Sequence, residues 1–241
     1  MTKIATKLTG KSLLDKIAYH TVRGILTAFC RVWCRMQIKG RENFPIGEPF
    51  IMAPTHRSII DTPVSSGVYT RRMRFMGADK WWSNKPFGKL LTALGGFPVS
   101  RGSADREALK RCIAVLEGGE PLVMFPEGER KSGAVVQPLF EGAAYVAMKT
   151  GVPIVPVAIG GSERAMPKGA KFIYPRKMYV IVGKPMRVSV VGAGGGAVGV
   201  EGGVDDEAGS KGQRIAAKQL TIELHAELQR LFDLAQERAS N

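Results

Sequence analysis

Apolar side chains return every three or four positions over residues 11–36: Leu13, Leu14, Ile17, Val22, Ile25, Leu26, Phe29, Trp33 and Met36. Lys16, His20, Arg23, Thr27 and Arg31 fall largely on the other side. This spacing predicts a long amphipathic helix, and Gly24 marks a place where it could break in two. Two readings stand side by side. The apolar stripe packs on the protein's own core, or it enters a lipid interface while Lys and Arg meet headgroups.

From residue 48 the rhythm changes. Short apolar runs at 49–53, 73–78, 96–99, 121–125, 154–159 and 178–182 alternate with helix-like stretches at 63–69, 86–94, 104–116 and 138–149. Alternation of this kind predicts an α/β protein, a mixed and largely parallel sheet flanked by helices. Residues 192–212 hold nine glycines in 21 positions and read as a flexible loop. Helical spacing resumes over 213–238 with Ile215, Leu220, Leu224, Leu228, Leu231 and Ala235 on one side. The expected organisation is an N-terminal helical segment (1–40), an α/β domain (41–191), a Gly-rich loop (192–212) and a C-terminal helix packed on the domain (213–241).

Composition narrows the class. With 44% hydrophobic and 23% charged residues the 241-residue chain has globular proportions. No apolar run reaches the roughly 18 residues of a membrane span. The three cysteines, Cys30, Cys34 and Cys112, are too few for a disulfide framework, and no metal-ligand spacing is present. Lys and Arg number 35 against 21 Asp and Glu, a net charge of +14. That surplus points to a polyanionic partner, whether nucleic acid, anionic membrane or phosphorylated substrate. No helix-turn-helix, zinc finger or aromatic single-strand platform accompanies it, which argues against nucleic acid.

Chemistry-bearing residues follow the predicted strands. His56 and Asp61 come after the first, Lys80 after the second, Arg101 after the third, and Glu127 and Arg130 after the fourth. In an open α/β sheet ligands bind beyond the carboxyl ends of the strands, so parallel strands would gather these groups on one edge. Residues five apart on a continuous helix diverge by about 140°. His56 and Asp61 therefore meet only if the chain turns between them. Thr62 as N-cap with Pro63 at the first helical position supplies such a turn. A carboxylate on one imidazole nitrogen fixes the tautomer and leaves the other nitrogen to accept a proton. That is a general base without a built-in nucleophile. Ser58 lies between the pair but lacks the glycine pattern of a nucleophile elbow, and the cysteines fall on predicted helices, so a serine or cysteine hydrolase is disfavoured.

Four ordered blocks over residues 36–188 carry a resemblance. They are Thr55-His56-Arg57-Ser58-Ile59-Ile60-Asp61; Gly95-Gly96-Phe97-Pro98-Val99-Ser100-Arg101, with Lys80 upstream; Phe125-Pro126-Glu127-Gly128-Glu129-Arg130; and Val152-Pro153-Ile154-Val155-Pro156-Val157. Together they resemble the glycerolipid acyltransferases of the 1-acyl-sn-glycerol-3-phosphate acyltransferase type, the first block looking like that family's His-x4-Asp motif. Two positions depart from the pattern: Glu129 stands where a threonine is common, and Ser100 where an acidic residue is common. The resemblance implies acyl transfer from a thioester, acyl-CoA or acyl carrier protein, to the sn-2 hydroxyl of a lysophospholipid acceptor. It implies His56 as general base oriented by Asp61, with Lys80, Arg101, Glu127, Gly128 and Arg130 in the acceptor site and no metal or other cofactor. Glycerol 3-phosphate or another lysophospholipid is the alternative acceptor. It also favours the interfacial reading of residues 11–36, a monotopic or peripheral protein on the cytoplasmic face of the cell membrane with the bilayer as its partner.

Overall fold

The structure is a computed structural model and describes residues 12–99, 106–188 and 207–241. Strands β1 (Gln37–Lys39), β2 (Ile51–Pro54), β3 (Arg74–Ala78), β4 (Gly96–Val99), β5 (Leu122–Val123), β6 (Ile154–Gly160) and β7 (Tyr179–Val182) form one sheet. Their spatial order is β1-β7-β6-β2-β5-β3-β4. Every pairing is parallel except that of β6 with β7. The helices are α1 (Leu13–Trp33), α2 (Asp61–Val68), α3 (Lys85–Ala93), α4 (Arg106–Glu117), α5 (Gly142–Thr150), α6 (Ser162–Ala165) and α7 (Glu207–Ser240).

The central strands are buried on both faces, which is why they read as unbroken apolar runs. Successive residues of β2 alternate between two cores: Ile51 and Ala53 face α4, α5 and α7, and Met52 faces the α2 side. Leu220, Leu224, Leu228, Leu231 and Ala235 of α7 are all buried. The helix runs so close to the sheet that a side chain at Gly160 would strike the carbonyl of Ala235.

α1 docks by a mixed face on which Tyr19 and Cys30 are buried and Ala18, Val22, Arg23 and Thr27 half-buried. Arg23 donates to the carbonyls of Ser66 at 2.7 Å and Tyr69 at 2.6 Å. The hydroxyl of buried Tyr19 accepts from the Met73 amide at 3.2 Å, and burial raises its pKa. Leu13, Leu14, Ile17, Ile25 and Val32 on the opposite side are 54–79% exposed. Leu13, Leu14, Ile17 and Ile25 of the apolar stripe therefore do not pack on the protein's own core, whereas Met36 of the same stripe does.

Several boundaries differ from expectation. Residues 37–39, placed by the sequence in the N-terminal helical segment, form edge strand β1; three residues, Gln-Ile-Lys, are too short to show a period of two. α1 passes through Gly24 unbroken, since one glycine on an exposed helix face costs only about 1 kcal/mol. α2 starts at Asp61, so Thr62 is not its N-cap and Pro63 lies third in the helix, where its missing N–H is still an orphan. α5 starts at Gly142 and not at 138, because Phe140 N bonds back to Pro126 O at 2.9 Å. α7 starts at Glu207, six residues ahead of the expected 213. Residues 192–206 of the expected Gly-rich loop lie outside the described residues.

Candidate active site

Because β2, β3, β5 and β6 are parallel, their carboxyl ends share one edge, and the segments that follow them meet there. β2 ends at Pro54, and the ladder is carried one step further by side chain: Thr55 Oγ1 accepts from Ile159 N at 3.0 Å. The chain then turns through 56–60 into α2.

Asp61 organises this turn. Its Oδ2 accepts from the amides of Arg57 and Ser58, both at 2.6 Å, and from His56 Nδ1–H at 3.1 Å. The carboxylate thus ties together the turn ahead of α2, whose N-cap position, Ile60, makes no side-chain capping bond. The imidazole stacks on Phe125, with ring centroids 4.0 Å apart and planes at 23°. With Nδ1 engaged by a carboxylate, Nε2 carries the free lone pair. His56 is 8% exposed and Asp61 fully buried, so the pair is shielded on all but the approach to the ring.

Behind the histidine lies a buried ion pair. Arg57 Nη1 donates to both oxygens of Glu127, at 2.8 and 2.7 Å. Glu127 Oε1 also accepts from His56 N at 3.0 Å, and Oε2 from Gln137 N at 3.4 Å. Arg57 reaches onward to the carbonyls of Gly133 and Val135 and lies 4.8 Å over the Phe232 ring of α7. One guanidinium therefore ties the turn after β2, the segment after β5 and the C-terminal helix together. Gly128 closes the turn after β5 with its N–H on Phe125 O and a φ of +72°, and a side chain there would overlap Phe140.

The structure brings His56, Asp61 and Glu127 together. It places Glu127, which the sequence put among the acceptor-binding groups, behind the site: its carboxylate is fully buried and occupied. Lys80, two residues beyond β3, and Arg130 lie exposed on the same edge without touching the His56–Asp61 pair. Arg101 lies outside the described residues. Sequence reasoning missed Arg57 and Phe125. The signal available for Arg57 was its place directly after the histidine, in a stretch otherwise destined for burial. Among the described residues no cluster of three His, Cys, Asp or Glu side chains could hold a metal ion, and no helix is long and apolar enough to cross a membrane.

A family model described as Acyltransferase matches residues 35–160. The chain is 30% identical over 153 residues to a 1-acyl-sn-glycerol-3-phosphate acyltransferase of Bacillus subtilis, covering 63% of this chain and 73% of that one. It is 30% identical over 158 residues to the chloroplastic 1-acyl-sn-glycerol-3-phosphate acyltransferase BAT2 of Brassica napus, covering 63% of this chain and 45% of that longer protein. Among solved structures, the 1-acyl-sn-glycerophosphate (LPA) acyltransferase PlsC from Thermotoga maritima matches with a TM-score of 0.61 at 24% identity. That match covers 90% of this chain and 85% of that one, and is a likeness of fold.

Proposed function

Since the chain belongs to the Acyltransferase family, we propose that it transfers a fatty acyl group from a thioester to the sn-2 hydroxyl of 1-acyl-glycerol 3-phosphate, giving phosphatidic acid. The observation that carries this reading is the His56–Asp61 pair, held at the sheet's carboxyl edge with Nε2 free. An alcohol is a poor nucleophile at neutral pH. Nε2 takes its proton as the oxygen attacks the thioester carbonyl carbon, and the imidazolium is stabilised by Asp61. The tetrahedral intermediate then collapses, the C–S bond breaks, and Nε2–H returns the proton to the departing thiolate. The donor is acyl-CoA or acyl carrier protein, and the reaction as written needs no other cofactor.

Cations suit the acceptor's phosphate. Lys80 on the same edge supplies a point charge and Arg130 a planar fork, and Arg101, outside the described residues, is assigned the same role from its place in the sequence. Glu127 acts through Arg57 and the turn rather than on substrate, and Gly128 supplies the left-handed backbone of the turn after β5 and leaves room for Phe140. Residues 1–40 supply the contact with the bilayer, where acceptor and product reside, through the exposed apolar side of α1. The protein is then monotopic or peripheral on the cytoplasmic face of the cell membrane.

The test is turnover by membrane-reconstituted enzyme with a panel of acceptors that includes glycerol 3-phosphate and other lysophospholipids, followed by product regiochemistry. His56→Ala abolishes transfer, a loss of at least about 10²–10⁴-fold, while the thermal midpoint holds. Near-normal turnover by a folded His56→Ala protein defeats the mechanism. Preference for another acceptor keeps the mechanism and replaces the substrate.

A further inference from the structure

The connection between β6 and β7 has surface features that the chemistry at His56 does not use. Residues 164–177 hold five cations, Arg164, Lys168, Lys171, Arg176 and Lys177, and no acidic residue. Two aromatic side chains of the same stretch face water, Phe172 at 75% and Tyr174 at 48% exposure. A loose loop is not the reason. Ile173, between them, packs on the core. Tyr174 N donates to Ala165 O at 2.7 Å, Trp33 Nε1 to Ile173 O at 2.8 Å, and Arg35 Nη2 to Pro175 O at 3.3 Å. The backbone is fixed while alternate side chains project.

The surroundings have the same character. Through its bond to Ile173, Trp33 joins the loop to the exposed end of α1, where Phe29 and Val32 also face water. Arg35, Arg164, Arg176 and Lys177 line an adjoining cavity of about 200 Å³ beside the last turn of α7. None of these four forms an ion pair among the described residues. Exposed aromatics rimmed by unpaired cations match one environment in both respects, the headgroup boundary of an anionic bilayer.

We propose that the β6–β7 loop is a second bilayer contact: Phe172 and Tyr174 enter the headgroup boundary, and the cations around Arg35 and Arg176 hold lipid phosphates. The proposal rests on the reading of α1 as an interfacial helix and adds what that helix cannot provide. A helix lying in the interface can still roll about its own axis. A second contact off that axis fixes the roll. The loop leaves the carboxyl end of β6, the edge that carries His56, so this contact turns the catalytic edge toward the membrane that holds the acceptor.

The full chain can be tested with a thiol-linked, polarity-sensitive fluorophore. Cys30, Cys34 and Cys112 are buried, and burial with Cys34 alongside pushes the Cys30 thiol up to about 12, so an added surface thiol reacts selectively. Phe172→Cys carries the probe. Ile46→Cys is the control, 97% exposed and ahead of β2, at the opposite edge of the sheet. With vesicles of phosphatidylcholine mixed with phosphatidylglycerol, the label at position 172 shifts to the blue and is reached by a lipid-borne quencher, and the label at 46 stays aqueous. Phe172→Ala with Tyr174→Ala lowers vesicle partitioning by about 10-fold or more at an unchanged thermal midpoint. Arg176→Gln lowers it about 5-fold. A chain that sediments with vesicles while position 172 stays in water overturns the loop contact and spares α1. A chain that does not sediment overturns both. An equal response to pure phosphatidylcholine removes the role of the cations.

Discussion

Arg57 is 2% exposed, and its guanidinium is committed to Glu127 and three backbone carbonyls. Losing one partner of such a pair strands a buried charge, at a cost of about 3–5 kcal/mol. Glu127→Gln accordingly lowers the thermal midpoint by about 6–20 °C in a chain of this size. It lowers kcat as the turn after β2 loosens, and leaves the acceptor KM nearly unchanged. An unmoved melting curve with a raised acceptor KM would return Glu127 to the acceptor pocket. Asp61 allows a cleaner test of chemistry. Asp61→Asn keeps size and the helix start but removes the anion that receives two amides and the imidazole N–H. The ring loses its fixed tautomer, and turnover drops toward the His56→Ala level; turnover within a few-fold of the parent enzyme means that orientation by Asp61 is dispensable. His56 and Asp61 were legible in the sequence because five-residue spacing before a helix leaves few ways for two side chains to meet. The Arg57–Glu127 pair was not, because its partners stand 70 positions apart and a cation beside a histidine looks the same whether it is buried or exposed.

Elements divide in the same way. The strand–helix alternation was readable because each central strand is an unbroken apolar run between turn residues. β1 was hidden by its length, and the start of α5 by a tertiary bond from Phe140 to Pro126 that no local preference foretells. For α1 the periodicity gave the helix but not the face that docks. Polar Arg23 and Tyr19 turn inward, and Leu13, Ile17, Ile25 and Val32 outward. The two faces make opposite predictions. Ile25→Glu with Val32→Glu removes apolar contact from the bilayer face, so vesicle binding falls by an order of magnitude or more at an unchanged thermal midpoint. Arg23→Ala leaves the carbonyls of Ser66 and Tyr69 without their donor and lowers stability by about 1.5–3 kcal/mol, with vesicle binding of the folded protein intact. Calorimetry beside vesicle sedimentation separates them. Loss of both properties from either variant would mean that α1 has no division of faces.

At the scale of the whole molecule the surplus of 14 positive charges is not uniform. The carboxyl edge of the sheet, which holds the His56–Asp61 pair, also carries Lys80 and Arg130, with Arg35, Arg164 and Arg176 toward β6, β7 and β1. Charges gathered at one edge raise the local concentration of an anionic substrate before any contact forms, and salt suppresses this, since the screening length falls from about 10 Å at 0.1 M to about 3 Å at 1 M. The acceptor's phosphate is the group that such a field would act on. With a short-chain monomeric acceptor, so that vesicle binding plays no part, rising ionic strength should raise the acceptor KM several-fold and leave kcat nearly unchanged, because the proposed proton transfer at His56 would take place within a shielded pair. Lys80→Ala should raise that KM at low salt by about 10-fold and make its salt dependence shallower, since one of the charges being screened is then gone. The same titration with a zwitterionic lysophospholipid should be flat in both proteins. If salt instead lowers kcat equally for charged and zwitterionic acceptors, the cations of this edge serve the donor or the fold, and Lys80 has no part in holding the acceptor's phosphate.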